Sequence, residues 1–246
     1  MLQLEHVTVA YGGGAPAIND ISLTIQKGER VGLIGANGAG KSTLMKAVLG
    51  LIEASGEIRV DGIQLEKNSL AQIRKKLGYV LQDSNDQMFM PTVLEDILFG
   101  PLNYGQPREE ALAEADRVLN QLGIEALKDR ANHRISGGEK RMAAIATVLA
   151  LRPDLLLMDE PSAALDPKNR RQVIRILNGL KETKLIATHD LDLVLDTCDR
   201  VILLSHGEIA ADGPAVQILQ DKELLEENGL ELPFCLAGHP AAVTNT

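Results

Sequence analysis

A glycine-rich segment at residues 35–42 has the composition needed to hold phosphate groups. It reads GANGAGKS and matches the pattern G-x-x-x-x-G-K-[ST] at every fixed position. Glycines let backbone N–H groups wrap around phosphates, Lys41 adds a positive charge for the β- and γ-phosphates, and the Ser42 hydroxyl is a ligand for Mg²⁺. A flexible glycine turn is the alternative, but a buried strand before the segment and a helix after it favour phosphate binding. The predicted phosphate-contacting residues are Gly35, Ala36, Asn37, Gly38, Ala39, Gly40, Lys41, Ser42 and Thr43.

Two adjacent acids follow an apolar run later in the chain. LLLM at 155–158 is typical of a strand buried on both faces of a parallel sheet, and Asp159 and Glu160 come directly after it. Desolvating two acids at the end of such a strand is costly, which favours a function for them. We expect Asp159 to hold the Mg²⁺ shell and Glu160 to polarise the attacking water as a general base. A pair of solvated loop acids is the alternative.

Polar residues also end two other predicted strands. Gln82 follows GYVL, and His189 follows KLIAT. Ligands of open α/β sheets bind outside the carboxyl ends of the parallel strands, so we expect Gly35, Gln82, Asp159, Glu160 and His189 to gather at one edge. This convergence is stronger evidence for a site than any one of these residues.

A second candidate phosphate cradle begins at Ser136. ISGGEK at 135–140 places Ser136, Gly137 and Gly138 before a helical run, where exposed N–H groups favour anions. Glu139 completes the capping-box pattern Ser-x-x-Glu, in which serine and glutamate satisfy each other's backbone N–H groups. We prefer this structural role for Glu139 over a special catalytic one.

The surrounding pattern predicts an α/β protein with a mostly parallel sheet. Alternating residues near the N-terminus indicate an antiparallel β-subdomain, and an amphipathic helix over 108–123 lies inside a helical insert. We expect one domain over 1–246. Its parts are a nucleotide-binding core at 1–82 and 152–220, a helical subdomain at 83–151, and a short polar tail at 221–246.

The composition narrows the possible functions. The 246 residues carry a formal net charge of −9 and contain no dense Lys/Arg run, which disfavours a nucleic-acid partner without excluding a local basic groove. Two isolated cysteines suggest a reducing compartment and no cysteine metal site. The N-terminus lacks the layout of a signal peptide, and the longest apolar run, at 142–151, is too short to span a bilayer. We therefore expect any membrane role to need a partner.

With these motifs together, the sequence resembles the ATP-binding subunits of ATP-binding-cassette (ABC) transporters over nearly its whole length. ISGGE at 135–139 is similar to the family signature Leu-Ser-Gly-Gly-Gln, which other P-loop ATPases lack. The resemblance implies an ABC-type core and an ATPase that uses ATP and Mg²⁺. It implies that Tyr11 stacks on adenine and that Ser162 to Asp166 form a loop crossing between subunits, with Asp166 contacting the nucleotide. It also implies that Lys41, Glu160 and His189 serve catalysis, with His189 contacting the γ-phosphate, and that Gln82 senses the transmembrane partner. The implied Mg²⁺ ligands are Ser42, Gln82 and Asp159.

The resemblance also explains why one chain carries two phosphate cradles. Two subunits of this family pack head to tail, and each ATP lies between the phosphate loop of one and the Ser136–Gly138 segment of the other. The implied partners are therefore a second ATPase subunit, either another copy or a close paralogue, and membrane subunits. The implied location is the cytoplasmic face of the membrane, as a peripheral protein.

Residues 83–101 resemble the energy-coupling-factor importers in particular. DQMFMPTVLEDILFGP shares the Asp-Gln-x-Phe and Thr-Val-x-x-Asp-x-x-Phe-Gly-Pro patterns of those ATPases, although Ser84 and Asn85 depart from them. The segment implies docking to a transmembrane energy-coupling subunit, accompanied by a substrate-binding membrane component. The alternative is that Met88, Phe89 and Met90 are core residues of the helical insert. The cargo, cobalt, nickel, biotin or another vitamin, does not touch this subunit.

The sequence is also compatible with two other function classes. One is a non-transport ABC ATPase that acts on nucleic acid or ribosomes, which typically carries coiled-coil or second-cassette segments and more basic charge. The other is a regulatory module that binds ATP without turnover, against which Glu160 and His189 argue.

Overall fold

The computed structural model describes residues 1–12 and 14–237, so the end of the predicted tail, 238–246, lies outside the described residues. The described chain forms two sheets and a set of helices. The strands are β1 Leu2–Ala10, β2 Pro16–Ile25, β3 Arg30–Ile34, β4 Ser55–Val60, β5 Ile63–Gln64, β6 Leu77–Val80, β7 Leu155–Asp159, β8 Thr183–Ala187, β9 Arg200–Ser205 and β10 Glu208–Pro214. The helices are α1 Lys41–Val48, α2 Leu70–Arg74, α3 Ser84–Gln87, α4 Val93–Asn103, α5 Arg108–Leu122, α6 Gly137–Leu149, α7 Pro167–Gly179, α8 Leu191–Thr197, α9 Ala215–Gln220 and α10 Lys222–Glu227.

The larger sheet has six strands in the order β10-β9-β3-β8-β7-β6. Neighbouring strands from β9 to β6 pair in parallel, and only β10 runs antiparallel, at one edge. This confirms the predicted mostly parallel sheet. The strands β6 and β8 are shorter than predicted, because they end at Val80 and Ala187. Gln82 and His189 therefore lie two residues beyond their strands, in loops at the carboxyl edge.

The apolar run at 155–158 is buried on both sides, as its composition predicts. Leu155 and Leu157 pack into a core with the N-terminal strands and α1, whereas Leu156 and Met158 pack into a second core with α4 to α9. All four side chains are fully buried. Alternating side chains of one strand thus join the two hydrophobic layers of the domain.

The N-terminal sheet is antiparallel, in the order β2-β1-β4-β5, and confirms the predicted β-subdomain. Between β6 and β7 the chain forms α3, α4, α5 and α6. α5 buries the face predicted for it and ends at Gly123, whose φ of 68° closes the helix. The buried residues of that face are Ala111, Ala115, Val118, Leu119 and Leu122.

Two neighbouring residues after α3 have different surroundings, one in the core and one at the surface. Met88 is 5% exposed and belongs to the core of the helical segment, so its predicted docking role is wrong. Phe89 is 61% exposed and packs edge-on against Phe99, with ring centroids 4.8 Å apart. The backbone N–H groups of Phe89 and Met90 donate to the buried carboxylate of Asp96, which fixes this turn. The exposed aromatic pair is therefore held on a rigid support.

We expect Met88→Ala to destabilise the protein by about 2–5 kcal/mol, because it removes a buried side chain and leaves a cavity. Phe89→Ala should change the free energy of unfolding by less than about 1 kcal/mol, because the ring is largely in water already. Urea unfolding of both variants measures the difference. Equal losses of stability would contradict the opposite placement of these two side chains.

Candidate active site

The loop between β3 and α1 passes through backbone conformations that favour glycine. Gly35 has a φ of 150° and Gly40 a φ of 107°. A Cβ on Gly35 would collide with the carbonyl oxygen of Leu204, and one on Gly40 would lie 2.7 Å from the carbonyl oxygen of Ala17. Glycine at both positions therefore lets the loop reach α1 at Lys41, where the N–H groups of the first helical turn lack partners and favour anions.

The Lys41 ammonium lies within this loop. Its Nζ donates hydrogen bonds to the carbonyl oxygens of Gly35, at 2.6 Å, and Ala36, at 3.1 Å. Burial lowers the pKa of Lys41, while the nearby carboxylates of Glu160 and Asp159 act in the opposite direction. The cation is thus held by loop carbonyls in the field of the two predicted acids.

A cleft of about 220 Å³ opens in front of the loop. Ser42, Gln82 and Asp159 line it together and offer a hydroxyl, an amide oxygen and a carboxylate. These are the hard oxygen ligands that Mg²⁺ prefers, so the donor set fits this ion beside a triphosphate. The full lining consists of Ala17, Asn37, Gly38, Ala39, Gly40, Lys41, Ser42, Thr43, Gln82, Asp159 and Glu160.

Tyr79 of the neighbouring strand supports Asp159. Its hydroxyl donates to Oδ2 of Asp159 at 3.3 Å. Burial and the Asp159 charge raise the pKa of Tyr79, so the phenol stays neutral and remains a donor. One oxygen of the Asp159 carboxylate is therefore held by a neutral donor from β6.

Glu160 is held by three donors from the loop after β8. Thr188 Oγ1 donates to its Oε2 at 2.8 Å, the backbone N–H of His189 donates to Oε1 at 3.1 Å, and His189 Nδ1 lies 2.8 Å from Oε1. The backbone of Glu160 has a φ of 48°, an unusual value for a residue with a side chain. Glu160 is 7% exposed, yet it lines the cleft. A buried, oriented carboxylate on the same cleft as the phosphate-loop residues is suited to polarise a water.

Asp190 anchors the His189 loop to its surroundings. Its carboxylate accepts two hydrogen bonds from the Arg170 guanidinium, at 2.7 Å each, and one from Ser162 Oγ at 2.9 Å. Burial alone would raise the pKa of Asp190, but the hydrogen bonds from Arg170, the Leu193 N–H and Ser162 lower it below its usual range. The Ser162 hydrogen bond thereby joins the loop from 162 to the His189 loop, and the Arg170 ion pair joins the His189 loop to α7.

The second predicted phosphate cradle forms the N-terminus of α6. Ser136 is the N-cap, its Oγ accepts from the Glu139 N–H, and the Glu139 carboxylate accepts from the Ser136 N–H at 2.7 Å. The capping role predicted for Glu139 is therefore confirmed. A Cβ on Gly138 would collide with the Asn169 side chain, whereas one on Gly137 would meet nothing within 4 Å. The first turn of α6 thus packs on α7 at Gly138 and is open at Gly137.

Within the chain the Ser136 segment does not enter the small cleft. Ser136, Gly137 and Gly138 are absent from the lining of the 220 Å³ cleft that holds Lys41 and Glu160. Gly137 lies on a wider cleft of about 780 Å³, which Ser42, Gln82 and Asp159 also line. The structure therefore gathers the loop, both acids, Gln82 and Ser42 around the small cleft, and the Ser136 segment faces three of these residues only across the wider one.

Two further predicted residues take different positions. Tyr11 is 54% exposed, and its hydroxyl lies 3.5 Å from Thr43 Oγ1, which sets the ring at the edge of the phosphate loop. The Asp166 carboxylate caps α7, where it accepts from the N–H groups of Lys168, at 2.8 Å, and Asn169, at 3.0 Å. A contact between Asp166 and nucleotide stays a prediction.

Sequence reasoning missed the residues that support the predicted groups. Thr188 stands directly before His189, and a hydroxyl at the end of a strand is a weak signal that could have marked it. Nothing in the sequence around Arg170 marks it as the partner of Asp190, because the two residues meet only in the folded chain. The Asp-Pro pair at 166–167 could have predicted the α7 start, because aspartate at the N-cap and proline at the first helical position are typical.

Comparison with known proteins agrees with this geometry. The model of the ABC transporter family matches residues 18–163, more than half of the chain. The chain therefore belongs to the ABC transporter family, as one of its ATP-binding ATPases. None of the helices in the described part of the chain has the length and apolar composition to cross a lipid bilayer.

Two curated relatives match along most of their length. The energy-coupling factor transporter ATP-binding protein EcfA of Methanothermobacter thermautotrophicus is 40% identical over 95% of this chain and 77% of its own. The cobalt import ATP-binding protein CbiO of Rhodobacter capsulatus is 40% identical over 96% of this chain and 86% of its own.

Two solved structures share the fold. CbiO1 of Clostridium perfringens, described as part of the ABC transporter complex CbiONQ, has a TM-score of 0.83 and 34% identity and covers 92% of this chain and 93% of its own. A dimeric post-hydrolysis state of the cassette MJ0796, bound to ADP and Pi, has a TM-score of 0.78 and 30% identity, with 87% and 99% covered.

We expect Glu160→Gln to reduce kcat for ATP hydrolysis about 10²-fold or more, because the variant loses the oriented base but keeps the shape of the side chain. Binding of a fluorescent ATP analogue should be retained, since Lys41 and the loop are unchanged. Exposed Glu227→Gln on α10 is the matched control and should hydrolyse ATP normally. Unchanged turnover in Glu160→Gln would remove Glu160 from the role of base.

Proposed function

We propose that this chain is the motor subunit of an energy-coupling-factor importer, and that two copies, or one copy and a close paralogue, hold each ATP between them. One observation carries the proposal. The Ser136–Gly138 helix start has the features of an anion site, with a satisfied N-cap and an open Gly137, yet it does not line the cleft around Lys41. A second chain that places its own Ser136 segment over this cleft would complete the site.

In this arrangement each residue of the cleft has a defined task. The loop N–H groups and Lys41 bind the phosphates, and Tyr11 at the loop edge stacks on the adenine. Mg²⁺, which neutralises phosphate charge when bound, would be held by Ser42, Gln82 and Asp159. Glu160 orients and polarises the attacking water, and His189, which contacts Glu160 through Nδ1, contacts the γ-phosphate.

The same arrangement couples chemistry to movement. A γ-phosphate bound by the loop of one chain and by Ser136 of the other stabilises the closed pair, because both helix starts favour the same anion. Hydrolysis and loss of that phosphate remove the shared contact, so the pair opens. This is a switch of the kind in which a γ-phosphate controls the order of the elements around it. The dimeric post-hydrolysis structure of MJ0796, which holds both ADP and Pi, supports such a cycle.

The type of transporter is inferred from the helical segment and from the relatives. The Phe89–Phe99 pair is exposed on a turn that Asp96 holds rigid, which suits it to dock against a short helix of a membrane partner. The names of the relatives, EcfA and CbiO, support an energy-coupling-factor system with a transmembrane coupling subunit and a substrate-binding membrane component. The chain would then work at the cytoplasmic face of the membrane, for cobalt, nickel, biotin or another vitamin.

We expect a mixture of Ser136→Arg chains and Lys41→Ala chains to regain ATP hydrolysis that neither has alone. A mixed pair collects both defects in one site and leaves the other intact. Light scattering and phosphate release measure the recovery, and a mixture of Ser136→Arg with the double variant Ser136→Arg/Lys41→Ala is the negative control. An inactive first mixture, with both chains folded, would contradict a shared site.

We also expect Phe89→Ser to reduce the fraction of the tagged chain that is retained on membranes of its own cells, because it removes the exposed half of the aromatic pair. Leu51→Ser, which changes an exposed apolar residue outside the 83–101 segment, is the control and should leave retention unchanged. Equal retention of the two variants would place the membrane contact elsewhere. Hydrolysis by the purified Phe89→Ser chain should match that of the unmodified protein.

A further inference from the structure

A buried arginine of α6, Arg141, connects this helix to the loop that carries Gln82. Arg141, in the second turn of α6, is 4% exposed. Its guanidinium donates to the carbonyl oxygen of Leu81 at 2.6 Å and to that of Gln82. These two carbonyls lie just past β6, which ends at Val80. The arginine therefore satisfies backbone groups that no strand partner reaches.

A second side chain makes the same connection from the other direction. Gln87 Oε1 accepts from the backbone N–H of Leu81 at 3.0 Å. Its Nε2 donates to the carbonyl oxygen of Ala144 at 2.7 Å and to Thr147 Oγ1 at 2.9 Å. Both backbone polar groups of Leu81 are thus tied to α6 through side chains.

The connection is stronger than an exposed contact. Arg141 offers a rigid fork of donors, so two carbonyls held by one guanidinium keep a fixed spacing. Hydrogen bonds from a charged donor are stronger than those from a neutral donor, and breaking them here would leave buried carbonyl groups without partners. Movement of α6 relative to the 81–82 backbone therefore costs more than movement of both together.

We propose that Arg141 and Gln87 are positioning residues that make the Gln82 loop and the Ser136–Gly138 helix start move as one unit. Gln82 lines the cleft for the nucleotide on its own chain, whereas the Ser136 segment, under the proposed function on which this inference rests, serves the nucleotide on the partner chain. The Arg141–Gln87 clamp then couples the two nucleotide sites. Occupation of one cleft adjusts Gln82, and the clamp carries that adjustment to the helix start that covers the other.

A double-mutant cycle tests whether Arg141 acts through Gln82. Arg141→Met keeps a similar length and packs in an apolar setting but has no donors. We expect it to reduce kcat about tenfold in the unmodified chain and less than about twofold in the Gln82→Ala background, because the two residues share one effect. The same reduction in both backgrounds would overturn the proposal, since a purely structural defect is indifferent to Gln82.

Cooperativity tests the coupling between the sites. The Hill coefficient for ATP hydrolysis should fall from above 1 to about 1 in Arg141→Met, while the affinity of the isolated chain for a fluorescent ATP analogue stays the same. Arg175→Met, the same change on an exposed position of α7, is the matched control and should keep the cooperativity of the unmodified protein. Unchanged kcat and Hill coefficient in Arg141→Met would overturn the proposal.

A second variant covers the case in which Arg141→Met does not fold. Gln87→Leu removes the other half of the clamp and should produce the same loss of cooperativity, and a normal Hill coefficient in that variant would overturn the proposal. Failure of the proposed function has a different appearance. The unmodified chain would then show a Hill coefficient of 1 and no ATP-dependent association of Glu160→Gln chains, while the cycle with Gln82→Ala, which concerns one chain, still decides the role of Arg141.

Discussion

The parallel register of β7, β8 and β3 is the constraint on which the site depends. Asp159 pairs with Ala187, and Ala187 pairs with Leu33, so the three strands reach the carboxyl edge at the same level. The residues just beyond these strand ends therefore lie close enough for short side chains and backbone groups to contact each other. Glu160 takes its donors from Thr188 and His189 for this reason, and a slip of one residue in either strand would turn these groups to opposite faces of the sheet.

The starts of α1 and α6 differ in their surroundings. The N-terminus of α1 follows a loop whose glycines and Lys41 surround the small cleft, whereas the N-terminus of α6 is capped by Ser136 and Glu139 and opens at Gly137. The Ser136 segment of a chain does not line the small cleft of that chain, so the proposed shared site would link ATP binding to the association of two subunits. In our proposal, the Arg141–Gln87 clamp connects the start of α6 to the Gln82 loop within each chain.

Much of the fold and site could be predicted because the signals are local. A window of about ten residues is enough to predict three of these features: the glycine loop, the apolar run before Asp159 and the capping box at Ser136. Residues defined by distant contacts could not be predicted in this way. Arg141 looks like a surface residue beside Lys140, yet it is buried because it meets carbonyls from residues 81 and 82. Met88 and Phe89 differ in burial because of tertiary packing, which neither residue type reveals.

The central claim is that a second chain completes each nucleotide site. A structure of the Glu160→Gln chain with Mg²⁺ and ATP tests it most directly, because hydrolysis is blocked and the γ-phosphate stays in place. We expect this phosphate to contact Lys41 of one chain and Ser136 of another. A triphosphate enclosed by the residues of a single chain, with Ser136 of every other copy far from it, would rule out the shared site.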